Sequence, residues 1–266
     1  AAHAGMDAAA NAQLEGMYAA PPAGAIETDR MTVEDTIWKT VGLFGILLVT
    51  AVVGWVWTAS TFDPVTGEAS LVPWIVGALG GFVLAMVVTF TSRKKVRPAL
   101  IWAYAAFEGL FVGAISAWFE TFFPGIVMQA TLATFAVVGV TLALFASGKI
   151  RASARMTKIF LIAMFGYLAF SLLNLILMWT NVLPADQAFG LRSMEIAGIP
   201  LGLIIGVLVV IMAAYSLVLD FDQIQQGVRN GAPRTYGWLG GFGIMVTVVW
   251  LYVEILRMLA ILRGND

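Results

Sequence analysis

Three carboxylates stand in or beside long apolar runs: Asp220, Glu254 and Glu108. Hydrocarbon is a poor solvent for a charged oxygen, so an ionisable side chain at membrane depth marks a functional site. Glu108 has Tyr104 one turn earlier on the same helix face, within hydrogen-bond reach. It reads either as a hydrogen-bonded acid that fixes packing or as a cation- or proton-accepting group on a pathway. Asp220 closes an apolar run in Leu219-Asp220-Phe221-Asp222-Gln223-Ile224. Asp222, two positions on, points to another side of the helix. It is read as solvated or bound to a basic loop, and it joins Glu108 as a candidate acid along an ion path. Glu254 lies in Trp250-Leu251-Tyr252-Val253-Glu254-Ile255-Leu256-Arg257. Its alternative role is a plain ion pair with Arg257 at i,i+3.

Other chemistries are excluded by residue type. The only histidine is His3 and there is no cysteine. A serine–histidine intramembrane protease therefore has no base, and His- or Cys-ligated zinc has no ligands. Retinal chemistry needs a lysine inside a span, but Lys39, Lys94, Lys95, Lys149 and Lys158 fall at span ends or in loops. The chain is not read as an enzyme, and no cofactor is expected. An acid-only calcium site at Asp220 and Glu254 stays open, because calcium takes oxygen ligands.

The elements that must hold these acids follow from composition. The 266 residues are 60% hydrophobic and 12% charged, with mean hydropathy +0.89. A soluble domain is about 25% charged, so this much apolar surface must face lipid. A helix needs about 20 apolar residues to cross the hydrocarbon. The runs are continuous rather than alternating, which favours helices over a barrel. Seven spans are expected: Ile37 to Trp57, Val72 to Phe90, Pro98 to Trp118, Pro124 to Ala146, Ile159 to Leu183, Ile199 to Asp220, and a last one within Gly237 to Leu262. Trp38, Trp55, Trp57, Trp74, Trp118 and Trp179 fall near span ends as interfacial anchors. The fold class is an all-α polytopic membrane protein. Residues 1–33 read as a flexible tail and 34–266 as one transmembrane domain.

Lys and Arg set the orientation. Alternate connectors are basic: Arg93-Lys94-Lys95-Val96-Arg97, then Lys149, Arg151, Arg155 and Lys158, then Arg229 and Arg234. The others are nearly free of Lys and Arg: one has Asp63 and Glu68, the next Glu120, and the third has Arg192 as its only basic residue. The basic loops and the amino terminus are then expected on the cytoplasmic side of a plasma (inner) membrane. Arg257 and Arg263 near the end allow a last segment that folds back, and Gly237, Gly240, Gly241 and Gly243 permit a break. Glycine pairs recur at four-residue spacing: Gly77/Gly81, Gly109/Gly113, Gly202/Gly206 and Gly237/Gly241. They let helices approach closely inside the bundle or, as the lesser reading, at a dimer interface. Net charge is −1, with no bulk attraction to nucleic acid.

The run Leu219 to Ile224, and the run Leu251-Tyr252-Val253-Glu254-Ile255-Leu256, resemble the two acidic motifs of the Bax inhibitor family, the transmembrane Bax inhibitor motif proteins. The likeness covers roughly Thr36 to Leu262 and agrees with the seven-span plan. It implies six helices around a central seventh and a pH-sensitive calcium leak channel or Ca2+/H+ exchanger. It further implies an acid pair, Asp220 and Glu254, that shares a proton, and an arginine latch for which Arg93 is the candidate. Calcium ions and protons are then the transported species. The last acid is Glu where the family has Asp, and the spacing from Asp220 is longer. If the last span begins at Thr235, Glu254 lies about 28 Å along its axis. The acids meet only if that span begins well inside the cytoplasm or the last segment re-enters. Two close carboxylates in a poorly solvated site would titrate as a coupled pair. Two other functions fit the same sequence: a non-conducting regulator that binds a membrane protein partner, and a proton-coupled transporter of a small solute.

Overall fold

The computed structural model describes residues 2–19, 21, 28–180, 194–196 and 198–264. Helix α1 (Ala2–Tyr18) precedes seven long apolar helices: α2 (Val33–Ser60), α3 (Val72–Thr91), α4 (Pro98–Phe122), α5 (Ile126–Ala146), α6 (Ala154–Trp179), α7 (Leu201–Arg229) and α8 (Tyr236–Gly264). A two-residue hairpin, β1 (Glu195–Ile196) and β2 (Ile199–Pro200), leads into α7. All seven are long and apolar enough to cross a membrane.

Within the amino-terminal segment, Ala2–Tyr18 form α1. Its Ala-rich sequence favours helix, and its residues 4–17 are all exposed. The long helices also overrun the apolar runs that announced them, because a helix continues into water wherever its caps allow. Thr32 caps α2 by accepting a hydrogen bond from the Asp35 amide. Ser153 caps α6 by accepting a hydrogen bond from the Met156 amide, and the helix starts at Ala154, five residues before the expected start. The expected end of that span at Leu183, and Arg192, lie outside the described residues. Helix α7 does not stop at Asp220 but runs on to Arg229.

The sides alternate without re-entry. At one face, Met31 N–H donates to Ala232 O and the Arg234 side chain binds Asp35, so α2 begins where α8 begins. At the other, Arg263 donates to Pro124 O (2.6 Å) and to Gln129 Oε1 (2.9 Å), so α8 ends beside the α4–α5 connector. Helix α8 is a single unbroken rod. Its glycines serve close packing rather than a break: a Cβ on Gly240 would meet the Ile224 side chain, and one on Gly243 the Asp220 carboxylate.

Helix α8 is the most enclosed span, packed on α2, α4, α5 and α7. Helix α3 packs chiefly on α4, and α6 is the least enclosed. The core has two clusters. One centres on Ile115, Phe119, Leu251, Tyr252 and Leu256, the other on Leu43, Leu47, Ile101, Met245 and Val249. The glycine pairs are spent inside this bundle. Gly77 and Gly81 face Phe111 and Glu108 of α4, and Gly109 and Gly113 face Leu47, Thr50 and Ala51 of α2. Gly206 faces Met258, and Gly237 and Gly241 face Thr36, Lys39, Thr40 and Leu43.

Candidate functional site

Polar side chains gather along α8 in three groups. The first closes its amino-terminal end. Asp35 and Lys39 lie one turn apart on α2, with Lys39 Nζ 2.8 Å from Asp35 Oδ2. Arg234, just before α8, sets its NH2 3.1 Å from Asp35 Oδ1. Lys39 also donates to Arg234 O at 2.6 Å and sits over the Trp238 ring, 5.5 Å from its centroid. Lys39 is a buried cation, neutralised by a carboxylate and a carbonyl together. Gly237 makes room for it: a Cβ there would stand 3.0 Å from Lys39 Cδ.

The second group is built on Asp220. Thr247 of α8 donates to Asp220 Oδ2 at 2.7 Å, and Ser216 Oγ, one turn before Asp220, lies 3.2 Å from the same Thr247 hydroxyl. The Gly243 carbonyl is 3.1 Å from Thr247 Oγ1. The cluster is made of oxygens only. No cation among the described residues is ion-paired with Asp220.

The third group is built on Glu254, whose side chain is 1% exposed. Its Oε2 accepts from Arg257 at 2.9 Å and from the Tyr167 hydroxyl of α6 at 2.8 Å. Arg257 also donates to the Tyr167 oxygen at 3.2 Å. The other oxygen, Oε1, is buried and has no hydrogen-bond partner. The ion pair with Arg257 that the i,i+3 spacing offered is thus formed.

The acid pair implied by the resemblance is not brought together. Asp220 meets α8 at Thr247, and Glu254 lies seven residues further on, about 10 Å along the axis. Neither segment re-enters, and the two carboxylates have separate partners. Arg93, the latch candidate, is exposed in the turn after α3 and is a partner of none of the three acids. Asp222 accepts from Gln226 on its own helix at 2.7 Å and faces neither site. Glu108 lies one turn from Tyr104 on α4, as the spacing suggested, but at the α3–α4 contact, where a Cβ on Gly81 would stand 2.7 Å from its Oε2. Tyr104 packs edge-on against Phe242, whereas the next residue, Gly243, abuts Asp220. Tyr104 and Asp220 therefore meet α8 at different residues, and Glu108 lies away from the Asp220 cluster at the α3–α4 contact.

Sequence reasoning missed Thr247, Ser216, Tyr167 and the Asp35–Lys39–Arg234 cluster. Only Asp35–Lys39 carried a local signal, an i,i+4 pair of opposite charge. A cavity of about 490 Å³ between α2, α4, α5 and α8 is lined by apolar side chains with Ser116, Thr131, Thr134 and Tyr252. Ser116 and Tyr252 share a hydrogen bond of 2.6 Å. No carboxylate lines this cavity, so it is not the site of the acids.

Fold and site together define a polytopic helical membrane protein with a half-buried acid, Asp220, and a buried one, Glu254, on its last two spans. The family model described as Bax inhibitor 1 like matches residues 3–264, and the chain belongs to that family. No curated protein and no solved structure matches it.

Proposed function

We propose that this protein is a proton-responsive calcium path across the plasma membrane, a leak channel or Ca2+/H+ exchanger, with its basic connectors in the cytoplasm. The observation that carries the reading is Asp220. It is a half-buried carboxylate between α7 and α8 with no ion-paired cation among the described residues, and it accepts a hydrogen bond from Thr247 of α8, whose hydroxyl also lies 3.2 Å from Ser216 Oγ of Asp220's own helix. Hard divalent ions take such oxygens. No group of three or more acids that could hold a metal occurs among the described residues. Binding through one carboxylate per station is weak, and passage requires sites an ion can leave as well as enter.

The proton and the calcium ion compete for the same oxygens. With a proton, Asp220 stays bonded to Thr247 and ties α7 to α8. Without it, the cluster carries net negative charge and admits a divalent ion. Glu254 is the second station, its Oε2 held by Arg257 and Tyr167 and its Oε1 buried without a partner. The experiment is calcium flux into proteoliposomes across a pH series, with wild type and Asp220→Asn. The variant is expected to conduct without pH dependence. An unchanged pH profile, or no flux from the wild type, refutes the proposal.

A further inference from the structure

Among the described residues, some cations are held by polar partners and others are in no ion pair. Lys39, Arg234 and Arg257 are ion-paired, and Arg263 binds a carbonyl and an amide. The eight in the first two basic connectors are different. Arg93, Lys94, Lys95 and Arg97 lie between α3 and α4; Lys149 and Arg151 lie between α5 and α6, with Arg155 and Lys158 in the first turns of α6. All eight are exposed, and none is in an ion pair among the described residues. Residues 92–100 and 147–160 contain no acid that could neutralise them locally.

Their height is fixed. Each connector is short and bounded by two apolar spans, so the charges cannot move far from the membrane surface. Arg151 is pinned further, its guanidinium 4.7 Å from the Phe145 ring centroid at the end of α5. The helix turns beneath are exposed and apolar: Phe90 and Trp102 beside the first cluster, Met156 and Ile159 beside the second. Those side chains face lipid tails, so the cations above them stand among the headgroups of the same lipids. Uncompensated positive charge at that level is complemented by phosphate of anionic lipid, and the attraction is lost within a Debye length of the surface.

We propose that these two connectors form an anionic-phospholipid surface: Arg93, Lys94, Lys95 and Arg97 on one side of α4, and Lys149, Arg151, Arg155 and Lys158 at the α5–α6 corner. The occupant is the phosphate headgroup of an annular lipid, its tails on the apolar turns below. This binding is independent of any ion path through α7 and α8.

The test is lipid retention by the purified full chain in detergent, read by native mass spectrometry. Equimolar phosphatidylglycerol and phosphatidylcholine are offered to the wild type and to two variants, R93Q/K94Q/K95Q/R97Q and K149Q/R151Q/R155Q/K158Q. The wild type is expected to favour the anionic lipid by about tenfold or more, and each variant to lose about fivefold or more of that preference. The charge-preserving set R93K/R97K/R151K/R155K keeps it. Should a neutralised variant fail to insert, the wild type at about 0.5 M salt supplies the same reading, since screening must erode the preference. Equal retention of both lipids, or a preference indifferent to both charge and salt, overturns the proposal. So does displacement of the lipid by millimolar inorganic phosphate, which would mark a site for the free ion.

Discussion

Asp35→Asn keeps the shape of the side chain and removes its charge, leaving the buried Lys39 ammonium beside the Arg234 carbonyl alone. The two arms of this clamp differ in exposure, and that sets the size of the effect. Lys39 and Asp35 side chains are 10% and 17% exposed, whereas Arg234 is 35% exposed. Breaking a fully buried pair costs about 3–5 kcal/mol, chiefly because one charge is left unpaired. A solvent-screened pair is worth about 0–1 kcal/mol. The Lys39 arm falls toward the first limit and the Arg234 arm toward the second, giving about 3 kcal/mol for Asp35→Asn and about 1 kcal/mol for Arg234→Gln. For a chain of this size that is a fall in Tm of about 6–12 °C and about 2–4 °C respectively. Thermal melts of the purified protein in one detergent measure both. Because the clamp ties the start of α2 to the start of α8, Asp35→Asn is also expected to raise cross-linking to water-soluble reagents of a cysteine placed at Thr36, a measurement the cysteine-free chain permits. A Tm change below about 2 °C for Asp35→Asn, or a larger effect from Arg234→Gln, refutes the burial argument.

Gly113→Ala is expected to cost about 2–3 kcal/mol, since its new methyl would run into the backbone carbonyl of Ala51, which cannot rotate away. Gly139→Ala meets nothing within 4 Å and is expected to be neutral or stabilising by about 0.5–1 kcal/mol in the same melts. Tyr167→Phe removes the hydroxyl that α6 gives to Glu254 and Arg257. It is expected to lower stability by about 1–2 kcal/mol and to change the size of the flux while leaving its pH midpoint, set at Asp220, where it is. A flux profile identical to wild type would remove Tyr167 from the ion path.

The parts of this site that were legible in the sequence are those made within one helix. Glu254–Arg257 and Tyr104–Glu108 are i,i+3 and i,i+4 pairs, and helical geometry alone places their side chains on one face. The seven apolar runs likewise announced seven helices, because hydrocarbon leaves backbone groups no other solution. Helix ends were read less well: hydropathy marks where lipid stops, while α7 continues to Arg229 through turns that water can satisfy. Illegible were the pairings between helices. Thr247 is one hydroxyl in an apolar run until Asp220 is set against it. Tyr167 looks like any aromatic of a lipid-facing helix, and Arg234 is separated from Asp35 by 199 positions. The long interval from Asp220 to Glu254 was visible, and its arithmetic already kept the acids apart.

That separation makes a kinetic statement. Carboxylates that share one proton are energetically one group, so removing either removes most of what both do. Carboxylates about 10 Å apart along α8, each with its own partners, are expected to act independently. Changes at sites more than about 7–10 Å apart with no shared partner usually add within about 0.3–0.5 kcal/mol, which is about twofold in rate. Asp220 is partnered by Thr247, Glu254 by Arg257 and Tyr167, and the two sets have no member in common. In the calcium-flux assay the double variant Asp220→Asn/Glu254→Gln is therefore expected to equal the product of the two single effects to within about twofold. If Glu254→Gln changes nothing once Asp220→Asn is present, although it alone alters flux, the acids act as one unit. The conducting state must then bring α7 and α8 two turns past the register seen here.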